Sequence, residues 1–378
     1  MEIRTLHFAE SQPLTLGVEV ELQLLNSETL DLTTAALEIL ENYPNSERVK
    51  AELFQSMLEI NTGICKDAHD VRKDLKGSMG EIRTLCKKMG LRVASAGTHP
   101  FANYSHRVLH PAPRYQELID RNQWIARRLM IFGLHVHVGM RSGEHAIQMN
   151  NALLHYLPIL LALSASSPYW HSEDTELASS RITFFEAIPT GGHPCLLDSW
   201  QDFELLYARL IESKAIRSTK DIWWDIRPSP SFGTLEIRIC DGLPTLDETV
   251  ALTALIHALC IYIDSEYMKG RRFRPPPDWI MRENKWRASR HGVEAALIIN
   301  EDGATESFSD NLQRLLTTLK PIAETNQYLD EFEFIQKIIE RGPSYKRQRA
   351  FAKQCGGDMK KVTESLADEF DAETPIWV

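Results

Sequence analysis

The chain has no C-x-x-C spacing. Its six cysteines, at positions 65, 86, 195, 240, 260 and 355, are scattered over 378 residues. That excludes a zinc knuckle and offers no disulfide framework, so reduced thiols in a cytoplasmic protein are expected. No G-x-x-x-x-G-K-[ST], G-x-G-x-x-G or H-E-x-x-H occurs, which removes the commonest phosphate, dinucleotide and zinc-protease fingerprints. The opening MEIRTLHFAESQP lacks the apolar stretch of a secretory signal. The longest apolar runs, ALLHYLPILLALSA and VALTALIHALCIYI, are shorter than the roughly 20 residues of a membrane span and are expected to be buried helices. Positive charge is short as well: a net charge of −10 argues against general nucleic-acid binding. Neither a membrane nor a nucleic acid is an expected partner.

What is present is an ordinary globular composition, 43% hydrophobic and 25% charged, in a chain longer than the usual single core of roughly 250 to 300 residues. LTLGVEVELQLL alternates as a β-strand does, and SMLEINT, LRVASAGTHP and LHVHVGM repeat the habit. DIWWDIRPSPSFGTLEIRICDG predicts two strands joined by a Pro/Ser/Gly turn, a hairpin. DLTTAALEILENY, AHDVRKDLKGSMGEIRTLCKKMG, RYQELIDRNQWIARRLMIFG, DFELLYARLIESK and TLDETVALTALIHALCIYIDSEYM predict helices, the second closed by Gly90. The segment from SSRITFFEAIP to GGHPCLLDSW, and NEDGATESF, predict loops. With no repeat and no low-complexity linker, the expectation is one α+β domain over 1–378, mostly helical from about 305 to 378.

The strands share a peculiarity. Side chains at i and i+2 point the same way, so Glu19 and Glu21 share a face, as do His135 and His137, Asp225 and Arg227, and Glu236 and Arg238, while Glu59 sits between Met57 and Asn61 on its own. The opposite faces are Val, Leu and Ile. A solvated sheet would be rich in Lys, Thr and Ser; this set contains no lysine. Converging carboxylates suit a divalent cation, Mg²⁺ or Mn²⁺, and arginine forks suit an anionic ligand. H-V-H also matches the H-x-H of metal-dependent hydrolases, a rival reading using His135 and His137; no regular β/α alternation supports the barrel it requires.

As an ordered set, LGVEVELQ, SMLEINT, AGTHPF, GLHVHVG, SASSPYW, ASSR, WWDIRPSPSFGTLEIRICD and NKWRASRHG resembles the carboxylate-amine ligase family, of glutamate-cysteine ligase type 2, within the glutamine synthetase-like superfamily. The resemblance runs from about residue 13 to 293. It implies a curved antiparallel β-sheet funnel backed by helices, with ATP and Mg²⁺ on its concave face. By the same match, Glu19, Glu21, Glu52, Glu59, His135 and Glu236 would hold metal; Glu52 needs a bend, because its parity differs from that of Glu59. Arg238 resembles the arginine that reaches the transferred phosphate, and with Glu236 and Glu59 it forms the expected catalytic group. Arg238, Asn284, Arg287 and His137 would contact the nucleotide. Arg181, Arg227, Thr98 and His99 would contact the substrate.

The implied chemistry is ATP-dependent amide formation through an acyl phosphate between a glutamate-like carboxylate and an amine, with weak glutamate-cysteine ligase activity and a homodimer as further expectations. A non-catalytic nucleotide-binding relative is the other alternative. Nothing in the residues identifies a cysteine pocket.

Overall fold

Alternation decides the centre of the molecule. In a computed structural model, which describes residues 6–43 and 47–377, the alternating segments form one seven-stranded sheet. Its strands are β1 (Leu16–Asn26), β2 (Val49–Ala51), β3 (Met57–Asn61), β4 (Leu91–Ala94), β5 (Gly133–Gly139), β6 (Ile226–Ser229) and β7 (Thr234–Asp241). They lie in the order β6-β7-β5-β1-β3-β2, and β4 pairs with the far end of β1. Every pairing is antiparallel.

Register turns the sequence pattern into a surface. Glu19 stands opposite His135 on one side and Asn61 on the other, Glu21 opposite Glu59, and Glu236 between His137 and Arg227. Register partners project to the same side of a sheet, so one face collects the ionisable groups of five strands. The other face carries Val18, Val20, Leu22, Leu58, Ile60, Leu134, Val136, Leu235 and Ile237, all buried in one core.

That core is closed by helices. Asp67 caps Ala68–Lys88 by accepting from His69 and Asp70 N–H, Lys87 and Lys88 complement its C-terminal dipole, and Gly90 follows at φ 69°. The helix Leu246–Met268, capped by Thr245, is apolar nearly all round because the sheet and the helices Ala68–Lys88, Phe308–Asn326 and Leu329–Arg341 surround it. Its length and composition would allow a membrane crossing, yet its apolar window is 83% buried within the fold. Arg347, on the helix Ser344–Gln354, ties the C-terminal helices to it: the guanidinium bonds Glu248 at 2.8 Å and Glu369 at 2.7 Å, all three buried.

Four expectations change. The helix predicted over RYQELIDRNQWIARRLMIFG breaks at Gln123, whose φ of 50° ends Pro113–Asn122 before Trp124–Arg127 begins. The predicted loop after Ser180 contains a helix, Arg181–Glu186. The second half of the predicted loop NEDGATESF is not loop: its Thr305–Ser307 pairs with Ala296–Ile298 as a small hairpin. Trp223–Trp224 leaves the main hairpin to pair in parallel with Gly191–Gly192.

Candidate active site

Glu19 is shared between two clusters. Its Oε2 lies 3.2 Å from His135 Nδ1 and its Oε1 3.5 Å from His137 Nε2. His137 Nε2 is also 3.8 Å from Glu236 Oε1, and its Nδ1 is 2.9 Å from Thr234 Oγ1. Toward β3, Asn61 Nδ2 donates to Glu59 Oε1 at 2.8 Å, with Lys50 Nζ 3.7 Å away. Glu19, His137 and Glu236, and separately Glu19, Glu59 and His135, each offer ligand atoms within 4.8 Å of one another. The donor set fits a hard divalent cation: carboxylates dominate, and the buried His135 Nε2 has no partner among the described residues.

The electrostatics agree with that fit. Burial pushes the Glu59 carboxyl up to about 7, helped by the charge of Glu19. Burial, then the charges of Glu59 and Glu21, pushes Glu52 well above the carboxylate range, and burial raises Glu21. Burial opposes ionisation of Glu19 too, but the hydrogen bonds and charges of both imidazoles outweigh it and hold Glu19 well below its ordinary value. Glu236 is also held low, because Arg227 and Arg238 overcome its burial. Glu19 and Glu236 are thus compensated by the protein's own cations; in Glu21, Glu52 and Glu59 burial prevails.

The arginines differ in what they have left to give. Arg227 Nε is 2.8 Å from Glu236 Oε2, and its Nη1 donates to the Ile222 carbonyl at 2.6 Å, so its guanidinium is largely committed. Arg238 bonds Glu236 through Nη1, while its buried Nε has no partner among the described residues. Arg181 lies at the base of the polar face. The register of β7 slips between Ile237 and Cys240, and Arg181 donates to the carbonyls of Arg238 and Ile239 at 3.3 and 3.4 Å, inside that slip. Gly133 makes this possible, since a Cβ there would collide with the Arg181 guanidinium. The Gly133 N–H bonds Glu21.

Other residues expected at the site make their hydrogen bonds outside this set. Thr98 Oγ1 donates to the Tyr169 carbonyl at 2.8 Å. His99 is buried, with Nε2 at 2.9 Å from the Leu30 carbonyl and Nδ1 taking the Phe101 and Ala102 N–H groups, so neither ring nitrogen is left for a substrate. Asn284 is spent on both backbone groups of Ile298, each at 2.8 Å. Arg287 pairs with Glu283 at 2.8 Å and with the Ala296 carbonyl at 2.9 Å. Glu52 does turn toward Glu59 and Glu21: it follows the end of β2, where the chain bends, and Tyr115 Oη lies 3.4 Å from its Oε2.

Sequence reasoning missed Arg114 and Tyr115, which reach Glu52 from the helix Pro113–Asn122; no periodicity links that helix to β2. It also missed the pairing of Asp225 with Lys285, Nζ to Oδ2 2.6 Å. Lys50 and Asn61 were findable, because both are register neighbours of Glu59 or Glu19.

Comparison with known proteins points one way. The family described as Glutamate-cysteine ligase family 2 matches residues 15–365. A protein of Bdellovibrio bacteriovorus, provisionally named glutamate–cysteine ligase 2, is 48% identical over 373 residues, 98% of each chain. A Mycobacterium tuberculosis protein with the same provisional name is 41% identical over 362 residues, 96% of each. The crystal structure of a Francisella tularensis glutamate–cysteine ligase in complex with AMP superposes with a TM-score of 0.70 at 12% identity, over 96% of this chain and 90% of that one. A Pasteurella multocida bifunctional glutathione synthetase gives 0.63 at 15% identity, over 95% of this chain and 52% of that one. At these identities the two structures speak to fold alone.

Proposed function

We propose, from the premise that this chain belongs to the glutamate-cysteine ligase family 2, that its ATP-dependent carboxylate–amine ligase reaction takes place on the polar face of the sheet, joining a glutamate-like carboxylate to an amine. The observation that carries the reading is the convergence of Glu19, Glu59, Glu236, His135 and His137 from four neighbouring strands, with Arg238 beside them.

Glu19, Glu59, Glu236 and His135 would hold Mg²⁺ or Mn²⁺, with Glu21 and Glu52 beside them; the cation would supply positive charge for a triphosphate. The rest falls to the chain itself. A substrate carboxylate oxygen attacks the γ-phosphorus, the bond to ADP breaks, and an acyl phosphate forms. Arg238, with a donor still free, takes up charge developing on the transferred group. Arg227 holds Glu236 in place. Arg181 fixes the backbone under Arg238 and adds positive charge near Glu21, where a substrate carboxylate would sit. An amine then displaces phosphate.

Under the same proposal the nominal substrates are glutamate and cysteine, the protein works in the cytoplasm, which suits six free thiols, and it assembles as a homodimer. The deciding experiment is a panel of carboxylates and amines assayed for ADP and amide together, with and without EDTA. ADP rising in step with amide, and only with divalent metal, is expected. Hydrolysis of amides or esters by protein holding one equivalent of zinc, with no nucleotide bound, would replace this reading with a hydrolase.

A further inference from the structure

Beside the acidic face lies a second buried ionic cluster that the scheme above does not use. Asp225 extends β6 by one residue: Ile226 faces Ile237, so Asp225 faces Arg238, and its carbonyl accepts the Arg238 N–H at 2.8 Å. Its carboxylate is fully buried. Oδ2 takes Lys285 Nζ at 2.6 Å, and the same Nζ lies 2.6 Å from Glu186 Oε1. His193 Nδ1 faces Asp225 Oδ2 at 3.8 Å. Three polar atoms of this cluster are buried without a partner among the described residues: Asp225 Oδ1 and both ring nitrogens of His193. Lys285 and Glu186 also line a cavity of about 130 Å³ with Arg282 and Trp286.

The charges that face His193 come from Lys285 and Arg282 on one helix, Glu186 on another and Asp225 at the head of β6. Arg282 is already paired with Asp278. Two carboxylates therefore share one lysine, and the cluster is short of one positive charge while holding unused acceptors. A carboxylate or phosphate ligand would leave those acceptors empty; an ammonium group fills them and supplies the missing positive charge. Burial, then the charge of Lys285, lowers the His193 imidazole from its ordinary value, which keeps it a neutral base at pH 7.

We infer that Asp225 and His193 form the subsite for the amine substrate's nitrogen, with His193 as the group that takes its proton. The inference rests on the ligase reading and names where its second substrate binds. The amine enters as an ammonium ion against Asp225 Oδ1 and gives one proton to His193 Nε2. The free amine bonds to the acyl carbon, the bond from that carbon to the phosphate oxygen breaks with its electron pair, and the remaining proton lost by the nitrogen leaves on the phosphate.

The test uses hydroxylamine, a free base at neutral pH that needs no such acceptor, against an amino-acid amine. With glutamate and MgATP, His193→Gln should make hydroxamate within a few-fold of wild type, while amide formation from cysteine falls about 100-fold and recovers as pH rises and free amine accumulates. Hydroxamate formation also certifies that the variant is folded. Asp225→Asn, which leaves Lys285 its contact with Glu186, should raise the cysteine KM about tenfold without changing the hydroxamate rate. Unchanged amide formation in His193→Gln, or equal loss of both products, overturns the subsite. A wild type that makes neither hydroxamate nor ADP with any carboxylate instead removes the ligase reading, and the subsite with it.

Discussion

Glu21 faces Glu59 directly across the β1–β3 ladder, so two carboxylates meet where a sheet ordinarily avoids like charge. Glu59 titrates at about 7, above its ordinary 4.5, so the folded protein binds more protons there than the unfolded chain between those values. This contribution to stability is lost as pH rises through that window. Glu59→Gln removes it. In EDTA the variant should melt with wild type at pH 4.5 and above it at pH 8, by about 1 to 3 kcal/mol. Added Mg²⁺ should stabilise wild type more than the variant at pH 8. Parallel melting curves at every pH in EDTA would show that Glu59 carries no such strain.

Arg238 has a buried donor without a partner, and lysine cannot reproduce a planar fork. Arg238→Lys is expected to keep the melting temperature and most ATP affinity and to lower kcat by roughly 10²-fold, about 2.7 kcal/mol of transition-state stabilisation. Turnover within a few-fold of wild type would take Arg238 out of the chemistry.

His99 tests the opposite case. With both ring nitrogens bonded to backbone, His99→Ala should cost about 1 to 3 kcal/mol of stability and leave the KM for the carboxylate substrate unchanged. Since burial holds its imidazole down at about 4, its contribution is present above the ordinary 6.5 and declines as pH falls toward 4. A tenfold rise in KM with unchanged melting would return His99 to the substrate.

Arg347 closes a buried triad with Glu248 and Glu369. Arg347→Ala strands two buried carboxylates and should destabilise by about 3 to 5 kcal/mol, which urea melts would resolve. A loss under 1 kcal/mol would mean that the C-terminal helices are held by apolar contacts alone.

Legibility in the sequence followed the range of the interactions. Glu19 with Glu21, His135 with His137 and Glu236 with Arg238 could be paired because i and i+2 of a strand share a face whatever the rest of the chain does. The hairpin around Pro230 and Gly233 and the helix behind Asp67 were likewise local. The approach of Arg114 to Glu52, the fit of Arg181 into the slip of β7 and the bond from Lys285 to Asp225 join residues 57 or more positions apart. No periodicity encodes them. Nor does a motif show that His99 and Asn284 bond the backbone of Leu30 and Ile298, because a polar residue in a motif can serve a distant loop as readily as a ligand.

The apolar helix Leu246–Met268 has one more consequence, for biosynthesis. Two of the segments that cover it, Phe308–Asn326 and Leu329–Arg341, leave the ribosome after it, at about 5 to 20 residues per second. For several seconds the greasy outer face of a helix of membrane-span length stands bare on every nascent chain, and a holding chaperone that recognises such surfaces gains its opportunity then. Chains halted near residue 305 would keep that surface uncovered permanently and should collect in aggregates, even though every strand of the polar face has already been made.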